Sequence, residues 1–252
     1  GGTFSNTNPL QLNNDSSKLK LSGISASYVR TNSDNLGVVI DNSSSVNEFT
    51  IGHVTPVSIS ANQSLDGALN IYSNGHLQLN NSGSLIATVT VKGDAFGSGT
   101  VGGKIEIKES MKFSGSLQQT TDHNGLEIII DSGKTLTYTG SVINVGNHTL
   151  KLSGGGTLAN TNNLTLDNSG SKLSISDSTK VSRVLVSASG TGNGMTISNS
   201  ANSVSGNLVE NLQLNSNLSV ASDAAWSVGS ITAGSALTFS NDKDLSVGSL
   251  SF

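Results

Sequence analysis

Leu77-Gln78-Leu79-Asn80-Asn81-Ser82-Gly83-Ser84 returns as Leu164-Thr165-Leu166-Asp167-Asn168-Ser169-Gly170-Ser171. In an extended chain the two leucines of each copy face one side and the residue between them faces the other. Each copy is therefore a very short strand with one apolar face, closed by an Asn-Ser-Gly turn whose residues tolerate positive φ. The apolar-x-apolar triplet recurs along the chain, as in Leu19-Lys20-Leu21, Val57-Ser58-Ile59, Val89-Thr90-Val91, Leu150-Lys151-Leu152, Leu173-Ser174-Ile175 and Leu212-Gln213-Leu214. Helical spacing of apolar residues is almost absent. A second echo, Ser227-Val-Gly-Ser-Ile231 against Ser246-Val-Gly-Ser-Leu250, sets a shift of about 19 residues. Three-residue strands are not stable singly, but stacking at about 4.8 Å gives them ladder hydrogen bonds and a continuous aliphatic column. The pattern predicts an all-β chain, a parallel β-helix (β-solenoid) of roughly twelve coils at ~21 residues per coil, and a rod of roughly 55 to 60 Å. The competing architecture is a β-sandwich, which calls for longer strands than these triplets.

Composition agrees with stacking and removes several functions. Of 252 residues only 12% are charged, while Ser, Thr and Asn make up about 38%. Thirteen Lys and Arg against seventeen Asp and Glu leave a net charge of −4, so no basic footprint exists for nucleic acid. The absence of Cys excludes disulfides, thiolate metal sites and thiol nucleophiles. No run approaches the ~18 apolar residues of a membrane span.

The reading is one solenoid domain over 1–252, with the rhythm weakest at 22–68 and 92–125; both are expected to leave the coil as side excursions. Residues with catalytic overtones read more simply as parts of turns and strands. Gly97-Ser-Gly-Thr-Val-Gly102 has dinucleotide-loop spacing, but Gly103-Lys-Ile-Glu-Ile107 continues as a strand where a helix N-terminus is required. Ser169-Gly-Ser-Lys172 has the spacing of a Ser/Lys pair without the helix that would join them. His53, His76, His123 and His148 are dispersed, and Asp242-Lys-Asp244 lacks the calcium nonapeptide around it. Asp122-His123 beside Glu127 and Asp131 is the one place where a carbohydrate-active enzyme could be sought. Lys104, Glu106 and Lys108 alternate with Ile105 and Ile107, the pattern of a half-buried strand with a charged outer face. No catalytic, cofactor-binding or metal residue is assigned, and the chain reads as non-enzymatic.

Residues 136 to 175, from Leu-Thr-Tyr-Thr-Gly through Leu-Lys-Leu-Ser-Gly-Gly-Gly-Thr-Leu to Leu-Thr-Leu-Asp-Asn-Ser-Gly-Ser, resemble the exported passenger regions of bacterial autotransporters and of filamentous-haemagglutinin-type adhesins. The resemblance implies a β-helix that is secreted and held outside the cell or at its surface. The strand pattern itself runs from Leu10-Gln-Leu12 to Leu245-Ser-Val-Gly-Ser-Leu250-Ser-Phe252 with no polar cap, and uncapped ladder edges invite another chain. The expectation is a subunit of a surface fibre or adhesive rod that self-associates end to end, with Phe4, Leu10, Leu12, Leu245, Val247, Leu250 and Phe252 as the assembly ends. The alternatives are an adhesin module binding a glycan or a host receptor, and a carbohydrate-active β-helix.

Overall fold

A computed structural model of the chain describes residues 2–33, 37–42, 44–60, 62–80, 83–92, 102–119, 125–187, 194–198, 206–239 and 243–252. The fold is all-β, with parallel strands in stacked coils forming a β-solenoid of about ten turns. Among the described residues every strand pairing with its register given is parallel, which removes the sandwich alternative. No helix among them is long and apolar enough to cross a membrane.

Two compact units share the chain: Gly1–Glu127 with Thr139–Ser141, and Ile128–Tyr138 with Val142–Phe252. In the first, Ile24–Thr31, Ser45–Ile51, Ser64–Ile71 and Ser84–Val91 stack side by side on one face. On a second face Lys18–Ser22, Gly37–Asp41, Val54–Ile59, His76–Leu79 and Gly103–Ile107 do the same. Register makes the core columnar: Val29, Phe49, Leu69 and Val89 lie in one line, all buried. In the second unit Leu164, Val184, Leu212 and Ile231 form such a line, and Leu150, Leu173, Met195 and Val220 another. Each side chain is sandwiched by its counterparts one coil away, so a three-residue strand keeps a fully buried face.

The coil length explains why the sequence repeat is blurred. Ser64 stands in register with Ser84, a step of 20, and Leu136 with Leu158, a step of 22. Two steps reach 28, from Ser84 to Lys112 and from Val181 to Val209, so fewer turns fit the chain than a uniform 21-residue period implies. Of residues 22–68, expected to leave the coil, the described ones are coil: Ile24–Thr31 through Ser64–Ile71 step at 20 residues. The irregular composition there marks outward-facing side chains, which packing does not constrain. Of the expected excursion at 92–125, residues 93–101 and 120–124 lie outside the described residues. Its middle is again coil, with Gly103–Ile107, Met111–Phe113 and Ser116–Gln119 in the ladders.

On the first face several of the strands bend, while Ser84–Val91 keeps strict alternation. Inward residues are separated by two outward ones, as in Ala26-Ser27-Tyr28-Val29, Val46-Asn47-Glu48-Phe49, Val181-Ser182-Arg183-Val184, Val209-Glu210-Asn211-Leu212 and Val228-Gly229-Ser230-Ile231. Strict alternation would send one of the two apolar residues outward, so the pair of polar residues is the sequence mark of the bend. Where the bend holds three residues, Asp66-Gly67-Ala68, Gly67 takes φ +136° and a Cβ there would collide with the Val46 carbonyl oxygen.

Candidate functional site

Three features bring chemistry-bearing or exposed residues together. The first is the bend. Asn6 and Asn160 each break their own strand and turn a carboxamide toward the bend of the next coil. Asn160 Oδ1 accepts from the backbone N–H of Ser182 (3.1 Å) and of Arg183 (3.2 Å), while its Nδ2 donates to Arg183 O and Asn162 O, both at 2.8 Å. Asn6 does the same in the other unit, accepting from Ser27 and Tyr28 and donating to Tyr28 O and Asn8 O. The side-chain amide stands in for a peptide unit where the ladder is interrupted. Both lie in Asn-Thr-Asn-x-Leu-x-Leu, at 6–12 and 160–166. That repeat carried the signal, but its spacing of many coils hides it from a search for a local period.

The second feature is a charged cluster on the outer face of the first unit. The alternation of Lys104, Glu106 and Lys108 places them outward, where the lengthened coil sets Lys104 beside His76 and Glu106 beside Gln78. Glu106 accepts from Gln78 Nε2 (2.7 Å), pairs with the Lys108 ammonium and lies 2.9 Å from His76 Nε2. His76 Nε2 stands outside hydrogen-bond alignment, and the contact is an ion pair only when the imidazole is protonated. Lys104 reaches Glu127 of the next coil at 3.3 Å. Burial pushes the His76 imidazole below its ordinary value, and Lys104 adds to this against the pull of Glu106 and Glu127. Burial alone would raise the Glu106 carboxyl, but hydrogen bonds from Lys108 and Gln78 and the charges of Lys108 and His76 outweigh it and hold it low.

Both shifts act in the same direction on stability. A depressed His76 keeps its full contribution above its ordinary pKa of 6.5 and loses it as pH falls from there through the folded value. A depressed Glu106 keeps its contribution above 4.5 and loses it as pH falls through its own folded value. Urea midpoints measured from pH 8 to pH 2 are therefore expected to fall in two stages on acidification, and His76→Gln is expected to flatten the stage beginning near 6.5. A midpoint that rises between pH 7 and 5.5 would contradict the assigned direction.

The third feature is the exposed apolar edge at Leu245–Ser251. This strand pairs with Trp226–Ala233 on one side; Val247, in register with Val228, is 37% exposed, Leu250, in register with Ile231, is 55% exposed, and Phe252 just beyond the strand is 97% exposed. With Leu245 they border an apolar cleft of about 370 Å³ that also touches Ile231 and Leu237. In the other unit Phe4 is half exposed and Leu10 partly covered; Leu12 departs from the expectation and is buried against the following coil, in register with Thr31.

Of the residues considered for catalysis, His76 and Glu127 fall in the charged cluster just described, and several others lie outside the described residues. Gly97–Val101 of the glycine-rich stretch, Asp122, His123 and Asp242 lie outside the described residues, and Gly103–Ile107 is a strand. The Ser169 hydroxyl, the candidate of the Ser/Lys pair, donates to Asn168 Oδ1 at 3.4 Å in the turn that Asn168 O closes with Ser171 N. Among the described residues no group of three or more His, Asp or Glu side chains is placed to hold a metal. No family model matches the chain, and no curated protein or solved structure matches it either.

Proposed function

We propose that this chain is a non-enzymatic structural protein of the cell exterior, a solenoid unit of a surface fibre or adhesive rod that assembles end to end through its terminal coils. The observation that carries the reading is where the polar side chains spend their hydrogen bonds. They bind the neighbouring coil at separations of 19 to 29 residues: Asn32 to Asn13, Asn42 to Ser22, Ser45 to Ser25, Gln78 to Glu106, Asn211 to the Ser182 carbonyl. Groups used this way make lateral staples along the stack and favour a load-bearing scaffold over a reaction centre. The exposed Val247, Leu250 and Phe252, with Phe4 on the first coil, supply the apolar surface for association. The sequence likeness to exported passenger regions supports the location.

Sedimentation velocity across a concentration series tests the reading. Wild-type protein is expected to shift to faster species as concentration rises, and Leu250→Lys, which charges the edge at a side chain 55% exposed, is expected to stay monomeric throughout. A single monomer boundary for the wild type at every concentration would overturn the assembly.

A further inference from the structure

The ion pairs of the outer-face cluster balance while His76 is neutral: Lys108 answers Glu106, and Lys104 answers Glu127. A proton on the imidazole is a surplus charge. On one side of His76, Val54–Ile59 carries no titratable side chain, and His53 before it accepts the His76 backbone N–H through its carbonyl. On the other side Gly103–Ile107 brings Lys104, in register with His76, and Glu106; Lys108 and the exposed Glu109 follow, and Glu127 stands one coil further. Glu106 is the hub. One of its carboxylate oxygens takes the Lys108 ammonium, while the other accepts from Gln78 at 2.7 Å and already has His76 Nε2 at 2.9 Å. A hydrogen bond to the ring therefore needs reorientation and no travel. The two competitors differ in burial: the Lys108 side chain is 37% exposed and the His76 ring 18%. A flexible ammonium at that exposure rehydrates at little cost when it lets go, whereas an imidazolium beneath the surface needs a counter-charge.

We propose that Glu106 is a proton-operated exchange point: a proton taken up by His76 moves the carboxylate from Lys108 to the imidazolium. The trade changes what the carboxylate joins. Glu106 and Lys108 belong to one coil, while His76 belongs to the coil before, so the new pair ties two coils together. Acid thus replaces a bond within a coil by one across the ladder. The exchange offsets part of the cost of charging a partly buried ring and leaves the outer face more positive by the proton taken up. Because burial holds the imidazole below its ordinary value, the exchange falls on the acid side of 6.5. It is a property of this cluster alone and does not depend on assembly of the chain.

An NMR titration from about pH 8 to about pH 5 tests the exchange by following the His76 ring, identified by its loss in His76→Gln, together with the lysine side chains. In the wild type the Lys108 side-chain signals are expected to shift with the midpoint of the His76 ring, and to stay still in His76→Gln. Lys104, in register with His76, senses the ring charge with or without an exchange. A transition at Lys104 with none at Lys108 is charge proximity alone and would overturn the proposal. Lys108→Met removes the competitor and is expected to raise the His76 midpoint, with Lys108→Gln, which keeps a donor and drops the charge, falling between it and the wild type. Both substitutions fall at a side chain more than a third exposed, and the dispersion of the same spectra reports that the fold is kept. A His76 midpoint that Lys108→Met leaves unchanged would overturn the proposal as well.

Discussion

Phe49→Ala is expected to cost about 3–5 kcal/mol, among the largest losses any single substitution in the first unit can produce. Phe49 is 1% exposed and held between Val29 and Leu69 of the coils on either side. The ladder fixes both neighbours at the strand spacing, so the walls cannot collapse into the vacated space and the cavity term stays near its full value. A small space beside Phe49, bordered by Val46, Leu65 and Leu69, has no room for a water molecule to fill what the ring leaves. Because each coil touches only its neighbours, the loss stays local. Hydrogen exchange should show it as lost protection across Ser45–Ile51 and Ser64–Ile71, with Lys172–Ser176 of the other unit unchanged. Phe4→Ala, at a half-exposed position, is the comparison and is expected to change stability by no more than about 0.5 kcal/mol.

Asn160→Ala is expected to cost about 3 kcal/mol, out of proportion to the few atoms removed. The carboxamide is 2% exposed and makes four hydrogen bonds; without it the N–H groups of Ser182 and Arg183 lose their acceptor at a bend where the ladder offers no other. Each stranded donor carries a desolvation penalty of about 1–3 kcal/mol. Asn160→Asp keeps the acceptor and loses both donations, so it separates the two halves of the role. Asn6→Ala removes the same four bonds at a partly exposed site, where water replaces them, and is expected to cost less than half as much. Equal losses at the two sites, in urea midpoints, would mean that burial does not set the cost.

The columns were legible in the sequence because burial of one face imposes the apolar-x-apolar triplet, as at Leu150-Lys-Leu152 and Leu173-Ser-Ile175, which the structure sets in register. The Ser-Val-Gly-Ser echo likewise gave a 19-residue step that the pairing of Ser227 with Ser246 reproduces. The bend was hidden, since Val-x-x-Val across Ser182-Arg183 or Val-x-x-Leu across Glu210-Asn211 resembles a break in alternation when read along one coil; only the stack turns it into a line. The His76 and Glu106 contact was hidden for another reason. It depends on a 28-residue step, and a lengthened coil changes which outward residues meet without altering the local pattern of either strand. Residues 22–68 misled because outward positions are free to vary, while Val38, Ile40, Val57 and Ile59 beneath them keep the period.

Negative-stain electron microscopy of the intact protein across a concentration series tests most directly the claim that terminal coils continue the stack from copy to copy. The account predicts threads of constant width that lengthen with concentration, and that Leu250→Lys reduces to single particles. Uniform single particles of wild-type protein at the highest concentration would contradict it.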